Sequence, residues 1–391
     1  MTALAAANLG CETAVIDRAP DGPATAVTPR SQTGNWNDPE ILKKFGAEVD
    51  VITLENEFVD SGALAALEQA GGLVFPGSAT LALTQDKLLQ KQTLQAANLA
   101  VPRFCPVQSP AEIAQAGEQF GWPIVLKTRR NGYDGKGNAT IRSPKEVPAA
   151  WEKLGGGRAA LMVEAFVRFR KELAVIVTRG RDGESVVYPV VETIQEDHIC
   201  RVVRAPAEVQ SPVASEARFL ALRAIEAVRG VGSFGVELFL TESSGILVNE
   251  LAPRVHNSGH YTIEACLCSQ FENHVRAVLG WPLGATDLVR PAAVMINLLG
   301  EGRGSGRPEG LAEALRIPGV HVHVYGKAES QPGRKMGHLT ALGDTVTEAF
   351  ARAEQAARLI RFGEIYEQEP AADHRHRHGQ RLGLAHHGGG L

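Results

Sequence analysis

The chain has 391 residues, 44% of them hydrophobic, and a formal net charge of −4. This length predicts two or three domains rather than a single core, and the small net charge argues against nucleic acid or an anionic membrane as a partner. The sequence contains no apolar run long enough for a membrane span, no signal peptide and only five scattered cysteines, so we expect a cytoplasmic protein with reduced thiols.

The first eighty residues alternate between helix-like and strand-like segments. TALAAANLG has the pattern of a helix that ends at Gly10, and DPEILKKF has that of a second helix, whereas TAVIDR, VDVITLE and LVFPG have the pattern of strands. This alternation predicts a small parallel α/β domain, which starts on a helix with no strand before it.

The remaining segments predict a mixed fold. DKLLQKQTLQAANL has helical spacing, and residues 122–203 have the pattern of strands joined by turns. A helix over SEARFLALRAIEAVRG, a hairpin over GVELFLTESSGILVNEL and a helix from Glu264 to Leu279 follow, and then a smaller α/β part with strands AVMINLLG and VHVHVYG. The tail, residues 364–391, is rich in His, Arg and Gly without an apolar period, which predicts disorder.

Two glutamates face each other across the predicted hairpin. If residues 242–245, ESSG, form the turn, Thr241 pairs with Ile246, and the same register places Glu237 opposite Glu250. Carboxylates directly opposite each other on neighbouring strands repel and destabilise a sheet. Mg²⁺ in a nucleotide site takes one or two carboxylates together with phosphate oxygens, so the pair predicts a metal site. The alternative is that both side chains point into water or are bridged by Arg254.

An unusually polar segment follows the second strand of this hairpin. The stretch LVNELAPRVHNSGH begins as a buried strand and then brings together Asn249, Glu250, Arg254, His256, Asn257, Ser258 and His260. A loop that serves only solubility uses Ser, Gly and Lys, without a carboxylate, a guanidinium and two imidazoles in one place. The segment therefore predicts a functional site.

A glycine-rich loop lies between two predicted strands. In KTRRNGYDGKGN, Gly132, Gly135 and Gly137 would let backbone amides approach a phosphate, and Lys127 would supply a cation. The loop lacks the GK[ST] sequence of a Walker loop, and no HRD or DFG segment of a protein kinase follows it. Taken alone, the loop is weak evidence for a phosphate site, since a glycine-rich hairpin is more often just a turn.

Two further segments have both functional and plain interpretations. In MVEAFVRFRKELAVIV, the backbone from Glu164 to Val167 could hydrogen-bond the edge of an adenine, and Glu172 could accept hydrogen bonds from ribose hydroxyls. The alternative is an ordinary strand followed by a cluster of surface charges. The turn in VYGKAESQPGRKMGH carries three cations, Lys327, Arg334 and Lys335. They suit a phosphate or carboxylate, or the turn is simply basic and solvated.

Together, four of these elements resemble the ATP-grasp superfamily: the hairpin with its glutamates, the glycine-rich loop, the segment MVEAFVRFRKELAVIV and the basic turn. The segments VLKTRRNGYDGKG, NELAPRVHNSGH, AVMINLLG and PGRKMGH are similar to those of the N5-carboxyaminoimidazole ribonucleotide synthetases, an ATP-dependent family of purine biosynthesis, and the resemblance runs from residue 1 to about residue 363. The fold class that it implies is α/β and α+β. It comprises a parallel preATP-grasp domain over residues 1–83, an ATP-grasp domain over residues 84–290 with a lid subdomain at about residues 121–185, and a C-terminal domain over residues 291–363.

The resemblance also implies roles for single residues. Those at the nucleotide would be Lys87 and Lys127 on the ATP phosphates, Gly132, Gly135 and Gly137 above them, Glu164 and Val167 at the adenine, Glu172 at the ribose, and Gln195 and Asn249 nearby. Glu237 and Glu250 would bind Mg²⁺. Those at the reacting groups would be Tyr133, Asp134, Lys136, Arg254 and His256. Those that hold the ribonucleotide or shape the wall beside it would be Lys327, Arg334, Lys335, Asn257, Ser258 and His260.

In the implied reaction, bicarbonate attacks the γ-phosphate of ATP and gives carboxyphosphate and ADP. Carboxyphosphate releases CO₂, which carboxylates 5-aminoimidazole ribonucleotide. The resemblance also implies a homodimer. The family normally carries a strand and a glycine-rich loop before the first helix, whereas Met1 falls at that helix here. It also often has Arg at the position of Lys136 and His at that of Gln195. Two alternatives therefore stay open, a nucleotide-binding relative without catalysis and another ATP-grasp ligase. The segments PRVHNSGH and GRKMGH argue against the latter.

Overall fold

A computed structural model describes residues 1–20, 22–28, 30–132 and 137–363. The predictions for Tyr133, Asp134, Gly135, Lys136 and the tail from residue 364 lie outside the described residues. Within them the chain combines parallel and antiparallel sheets with covering helices, which confirms the predicted α/β and α+β class. No helix in the described ranges is long and apolar enough to cross a membrane.

The N-terminal part contains two separate parallel strand pairs instead of the single sheet that the sequence predicts. β1 pairs with β2, which was not predicted, and β3 pairs with β4. Leu42, Phe45, Leu64 and Leu67 form the centre of the core beneath them. The elements are α1 (Thr2–Asn8), β1 (Ala14–Asp17), β2 (Arg30–Thr33), α2 (Pro39–Gly46), β3 (Ile52–Thr53), α3 (Ser61–Gln69), β4 (Val74–Phe75) and α4 (Ser78–Gln85).

A four-stranded antiparallel sheet follows, in the order β5-β8-β6-β7. Apolar side chains of its strands pack against α6 and α7, two helices that the sequence analysis did not predict, around Ile113, Leu126 and Val163. The elements are α5 (Lys87–Ala96), β5 (Phe104–Val107), α6 (Pro110–Phe120), β6 (Ile124–Thr128), β7 (Asn138–Ile141), α7 (Val147–Lys153) and β8 (Leu161–Ala165).

The largest sheet has nine strands and crosses the predicted domain boundary at residue 290. Its order is β14-β13-β9-β11-β12-β15-β19-β17, with β10 beside β9, and β12 pairs directly with β15. These strands are β9 (Phe169–Arg179), β10 (Ser185–Val187), β11 (Val191–Glu196), β12 (Ile199–Ala205), β13 (Gly232–Thr241), β14 (Ile246–Ala252), β15 (Ala292–Leu299), β17 (Val320–Val324) and β19 (Lys335–Gly343). β9 belongs to this sheet, whereas the strands of the small sheet lie within residues 104–165. The predicted lid at about residues 121–185 stays a prediction.

Helices and a short strand pair complete the fold. They are α8 (Ser211–Ala227), α9 (Thr262–Ala265), α10 (Gln270–Leu279), α11 (Leu311–Ala314), α12 (Val346–Ala357), β16 (Gly304–Ser305) and β18 (Glu329–Ser330). The predicted helix from Glu264 to Leu279 is wrong between α9 and α10. There the backbone donors of Leu267 and Cys268 bond to Asp287 and Ala285 at 3.0 Å, and Ser269 caps α10 instead.

Candidate active site

The hairpin β13–β14 brings the two glutamates together, although by a different register from the predicted one. Leu240, not Thr241, pairs with Ile246, because the Thr241 backbone N–H donates to the Gly245 carbonyl inside the turn at 2.9 Å. An irregularity between Glu237 and Leu238 leaves Asn249 as an extra residue on β14. This bulge restores the offset, so the prediction that Glu237 lies opposite Glu250 is confirmed.

Three carboxylates crowd this end of the sheet. Burial and the charge of Glu250 raise the pKa of Glu237 to about 7, and burial and Glu237 raise the pKa of Glu172 to about 7. Burial also opposes ionisation of Glu250, but its ion pair with Lys87 and the nearby Lys127 lower the pKa of Glu250 below its usual value. The cluster therefore holds more acidic groups than its cations neutralise.

The oxygens at the bulge fit a hard divalent cation. The Asn249 Oδ1 atom is buried and has no hydrogen-bond partner among the described residues, while its Nδ2 atom lies 3.4 Å from Glu237 Oε2. In the part of the chain that the structure describes, His, Cys, Asp and Glu side chains nowhere form a group of three or more suited to a metal. Two carboxylates are nevertheless enough for Mg²⁺, which takes the rest of its shell from phosphate and water.

Two lysines share one buried carboxylate next to the bulge. Lys127 Nζ donates to Glu164 Oε2 at 2.8 Å, and Lys91 Nζ lies 3.4 Å from Glu164 Oε1 and donates to the Asn249 carbonyl at 2.8 Å. Burial favours the neutral acid, but both ammonium groups outweigh it and lower the pKa of Glu164 to about 2. Burial lowers the pKa of Lys91 to about 8. The arrangement ties the small sheet to helix α5 and to β14.

The first residue of α5 is held from two sides. Asp86 caps the helix by accepting from the Leu88 and Leu89 backbone, and its carboxylate also binds Arg129 at 2.9 and 2.5 Å. The Lys87 backbone N–H donates to the Arg129 carbonyl at 2.8 Å. Lys87 therefore extends from the positive end of a helix dipole, a suitable place for a phosphate.

The glycine-rich segment is the connection of the β6–β7 hairpin, as predicted. Gly137 has φ +83°, and a Cβ atom there would lie 2.5 Å from Thr128 Oγ1 and 3.0 Å from Gly132 Cα. Only glycine allows the two ends of the loop to approach so closely. The segment between them lies outside the described residues, so the roles of Tyr133, Asp134, Gly135 and Lys136 stay predictions.

Arg254 and His256 lie beside the carboxylates. The Arg254 guanidinium is held by both carboxylate oxygens of Glu57, which comes from the N-terminal part of the chain. His256 Nε2 lies 3.5 Å from Glu237 Oε1, and its Nδ1 atom lies 2.8 Å from Ser258 Oγ. A Cβ atom at Gly235 would lie 2.4 Å from the His256 ring, so glycine permits this packing. Burial, Arg254 and Lys335 lower the pKa of His256 to about 3, which keeps the imidazole neutral.

The residues after His256 form an internally bonded wall. Asn257 exchanges two amide hydrogen bonds with Asn297, at 2.8 and 2.7 Å, and Ser258 is buried against His256. The His260 Nδ1 atom lies 3.2 Å from the carbonyl oxygens of His256 and Asn257. These contacts give the wall a fixed shape.

The basic turn is ordered by its own backbone. Lys327 Nζ donates to the Lys335 carbonyl at 2.6 Å, and Arg334 Nη1 donates to the Glu329 carbonyl at 2.8 Å. The charge of Lys335 acts on the site. It opposes the effect of burial on Glu237, whose pKa it lowers, and adds to the effect of burial on His256, whose pKa it also lowers.

The other predicted nucleotide residues lie on nearby strands. Glu172 is on β9, opposite Phe239 of β13 and Thr193 of β11, and Val167 is half-buried in the link from β8 to β9. Gln195 is exposed, next to an irregularity in β11. Their assigned roles stay predictions.

Four residues at the site were not predicted from the sequence: Glu57, Asp86, Lys91 and Arg129. Lys91 follows Lys87 by four residues, which places both on one helix face, and Asp86 occupies an N-cap position, so both carried a local signal. Glu57 follows a short predicted strand in the sequence ENEF, but its partner Arg254 is 197 residues away. No local pattern could have joined these two.

Three family models match successive parts of the chain. The ribonucleotide synthetase preATP-grasp domain matches residues 1–85, the ATP-grasp domain matches residues 92–271, and the phosphoribosylaminoimidazole carboxylase C-terminal domain matches residues 293–352. Together they cover most of the described residues in the predicted order.

Named relatives are similar over most of this chain. It is 40% identical over 363 residues to the N5-carboxyaminoimidazole ribonucleotide synthase of Synechococcus elongatus, covering 92% of this chain and 90% of that one. It is 40% identical to the phosphoribosylaminoimidazole carboxylase of Ogataea methanolica, covering 89% of this chain but only 65% of the longer relative. A crystal structure of N5-carboxyaminoimidazole synthase from Aspergillus clavatus with ADP and 5-aminoimidazole ribonucleotide is 34% identical, with a TM-score of 0.84, and covers 91% of this chain and 94% of that one.

Proposed function

Because this chain belongs to the N5-carboxyaminoimidazole ribonucleotide synthase family, we propose that it carboxylates 5-aminoimidazole ribonucleotide with bicarbonate and ATP. One observation supports this proposal above the others. Of the facing carboxylates, Glu250 forms an ion pair with Lys87, and Glu237 Oε1 lies 3.5 Å from His256 Nε2. Such a site can neutralise a triphosphate and hold a second small anion beside it.

The nucleotide would lie between the small sheet and β13–β14. Lys87 and Lys127 would bind its phosphates, with the glycine-rich loop above them. Glu164 already holds Lys127 in place, so the backbone from Glu164 to Val167 would meet the adenine, and Glu172 would accept from the ribose. Glu237 and Glu250, with Asn249 beside them, would hold Mg²⁺, which neutralises phosphate charge when bound.

The chemistry asks the side chains mainly for position and charge. A bicarbonate oxygen attacks the γ-phosphorus, the bond from that phosphorus to the β,γ-bridging oxygen breaks, and ADP leaves. Carboxyphosphate then breaks the bond between its carbon and the oxygen that bridges to phosphorus, which releases CO₂ and phosphate. The exocyclic amine of the ribonucleotide attacks CO₂ and loses a proton. Arg254 would bind the anionic intermediate, and neutral His256 can accept a hydrogen bond without adding charge.

The acceptor nucleotide would lie towards the C-terminal part. Lys327, Arg334 and Lys335 suit its phosphate, while the wall of Asn257, Ser258 and His260 would limit the room around its base. Tyr133, Asp134 and Lys136 would approach bicarbonate and the base from the loop. A closed site is required, because carboxyphosphate hydrolyses readily in water. We also propose that the protein is a homodimer.

The proposal is tested by mixing the purified chain with Mg-ATP and bicarbonate, with and without 5-aminoimidazole ribonucleotide. We expect ADP release to rise when the ribonucleotide is present and to be matched by carboxylated product. Binding of ATP without stimulated turnover would contradict the proposal and favour a non-catalytic nucleotide-binding protein. Turnover only with another amine acceptor would favour a different ATP-grasp ligase.

A further inference from the structure

Glu57 is the only carboxylate that the described hydrogen bonds place on Arg254, and it comes from a different part of the chain. Arg254 Nη2 donates to Glu57 Oε1 at 3.0 Å, and Arg254 Nε donates to Glu57 Oε2. The Arg254 side chain is 24% exposed and that of Glu57 is 23% exposed, so solvent screens this pair only partly. Burial opposes the charge of Arg254, but Glu57 outweighs it and raises the pKa of the guanidinium above its ordinary value.

The segment that carries Glu57 is itself held in place. Gln85, the last residue of α4, donates its side-chain amide to the carbonyl oxygens of Glu57 and Val59, at 2.6 Å each. The Phe58 backbone N–H donates to Asn56 Oδ1 at 2.9 Å. The carboxylate therefore projects from a braced loop, which makes it a fixed support for Arg254.

The way in which Glu57 holds Arg254 leaves donors for a ligand. A guanidinium has five N–H donors. Nε and Nη2 each donate once to Glu57, and Nη1 donates once to the Val255 carbonyl at 3.1 Å. By this count two N–H groups, one on each terminal nitrogen, have no partner among the described residues. A planar, bidentate grip on a carboxylate or phosphate needs two such donors side by side.

We propose that Glu57 is a positioning residue, which fixes the Arg254 guanidinium so that its two remaining N–H groups bind the carboxyphosphate intermediate. The inference rests on the proposed function. It adds that the N-terminal part of the chain, which supplies Glu57, contributes to chemistry at the β14 end of the central sheet. Because Arg254 would retain the intermediate rather than drive its formation, a misplaced guanidinium should release carboxyphosphate to water after ADP has formed.

The experiment compares ADP release with carboxylated product in the wild type, Glu57→Gln, Arg254→Lys and the double variant. We expect Glu57→Gln to reduce product about tenfold or more while bicarbonate-dependent ADP release falls less than threefold. The matched control is Glu68→Gln in the same N-terminal part, where Glu68 accepts from the Ser78 backbone at 2.9 Å, and it should keep ADP and product equal.

The double variant separates positioning from a general structural role. If Glu57 acts through Arg254, the double variant loses no more than about twofold beyond Arg254→Lys. Three results would each overturn the inference. The first is a double variant whose loss of product equals the product of the two single losses. The others are a Glu57→Gln variant in which ADP release and product fall equally, or one in which product still matches ADP as in the wild type. Absence of matched ADP and product in the wild type would instead overturn the proposed function.

Discussion

At the level of single residues, the site depends on charges that are buried together. Glu164 lies between two ammonium groups, and the Lys91 side chain is only 2% exposed. A pair of this kind adds little net stability against an apolar replacement, but removing one partner leaves the other unsatisfied. Its role would therefore be to fix the geometry that the proposed nucleotide site requires.

Replacing Lys91 by Met should damage both stability and nucleotide binding. The change leaves the Asn249 carbonyl without its donor and Glu164 with one cation instead of two, at a cost of about 3 kcal/mol in the free energy of unfolding. We expect the KM for ATP to rise about tenfold, because Lys127 and the Asn249–Glu250 backbone lose a shared support. Thermal unfolding and steady-state kinetics measure the two effects.

Lys44→Met, on an exposed position of α2, is the control for the loss of one lysine charge. It should leave both quantities unchanged. Wild-type ATP affinity in Lys91→Met would show that Lys91 serves packing only.

At the level of elements, the hairpin β13–β14 combines a local weakness in stability with the proposed binding of Mg-ATP. Carboxylates that face each other on neighbouring strands repel, and the bulge at Asn249 sets this pairing. Function commonly resides in such unfavourable arrangements, because a ligand relieves them.

Glu237→Gln should therefore separate stability from activity. Without metal or nucleotide, we expect the variant to be as stable as the wild type or more stable by about 1 kcal/mol, since one like-charge contact is removed. Its kcat should fall at least a hundredfold, because Mg-ATP loses a carboxylate ligand. Thermal unfolding without metal and ADP release with Mg-ATP measure the two.

Glu242→Gln, in the exposed turn of the same hairpin, should change neither. A large loss of stability in Glu237→Gln would show instead that Glu237 supports the fold.

Helix α10 contributes a second element-level property, acid sensitivity of the contact between the N-terminal part and the central sheet. The buried His274 accepts from the Ser233 backbone at Nδ1, 2.9 Å away, and its Nε2 atom meets Thr53 Oγ1 at 2.6 Å. Burial lowers the pKa of His274 from 6.5 to about 4. Between these two pKa values, His274 is protonated in the unfolded chain but neutral in the folded chain. Its contribution to the free energy of unfolding is therefore fully present above pH 6.5 and is lost as the pH falls towards 4.

For His274 alone, the free energy of unfolding should fall by about 2 kcal/mol between pH 7 and pH 5. His274→Gln should remove that share of the pH dependence, as measured by urea unfolding at the two pH values. His198→Gln, at an exposed position, should keep the wild-type slope. An unchanged slope in His274→Gln would contradict the assignment.

The elements also show how far the sequence could predict the site. Alternating apolar residues and the turn signal were enough to predict the hairpin and the facing glutamates, because both are local. The bulge at Asn249 was not predictable, since it depends on the Thr241–Gly245 turn bond and on neighbouring strands. The break between α9 and α10 was missed because its cause is the later segment that contains Asp287. Contacts between residues far apart in the chain, such as Glu57 with Arg254, leave no local pattern in the sequence and were therefore not predicted.

At the level of the whole molecule, three parts of the chain converge on one site. The N-terminal part supplies Glu57, the small sheet supplies Lys127 and Glu164, and the nine-stranded sheet supplies the carboxylates. Because β12 pairs with β15, the sheet continues from the carboxylates to β19, whose first residue is Lys335. A continuous sheet is a rigid way to fix the distance between a nucleotide and its acceptor.

In the proposed reaction, bicarbonate itself attacks ATP in this site. The most direct test is to supply bicarbonate labelled with ¹⁸O, together with Mg-ATP and 5-aminoimidazole ribonucleotide, and to analyse the released phosphate by mass spectrometry. If carboxyphosphate forms, the oxygen that joins carbon to phosphorus stays with the phosphate, so each phosphate should carry one ¹⁸O atom. Phosphate whose new oxygen comes only from water would show that ATP is hydrolysed without bicarbonate attack and would contradict the proposed reaction.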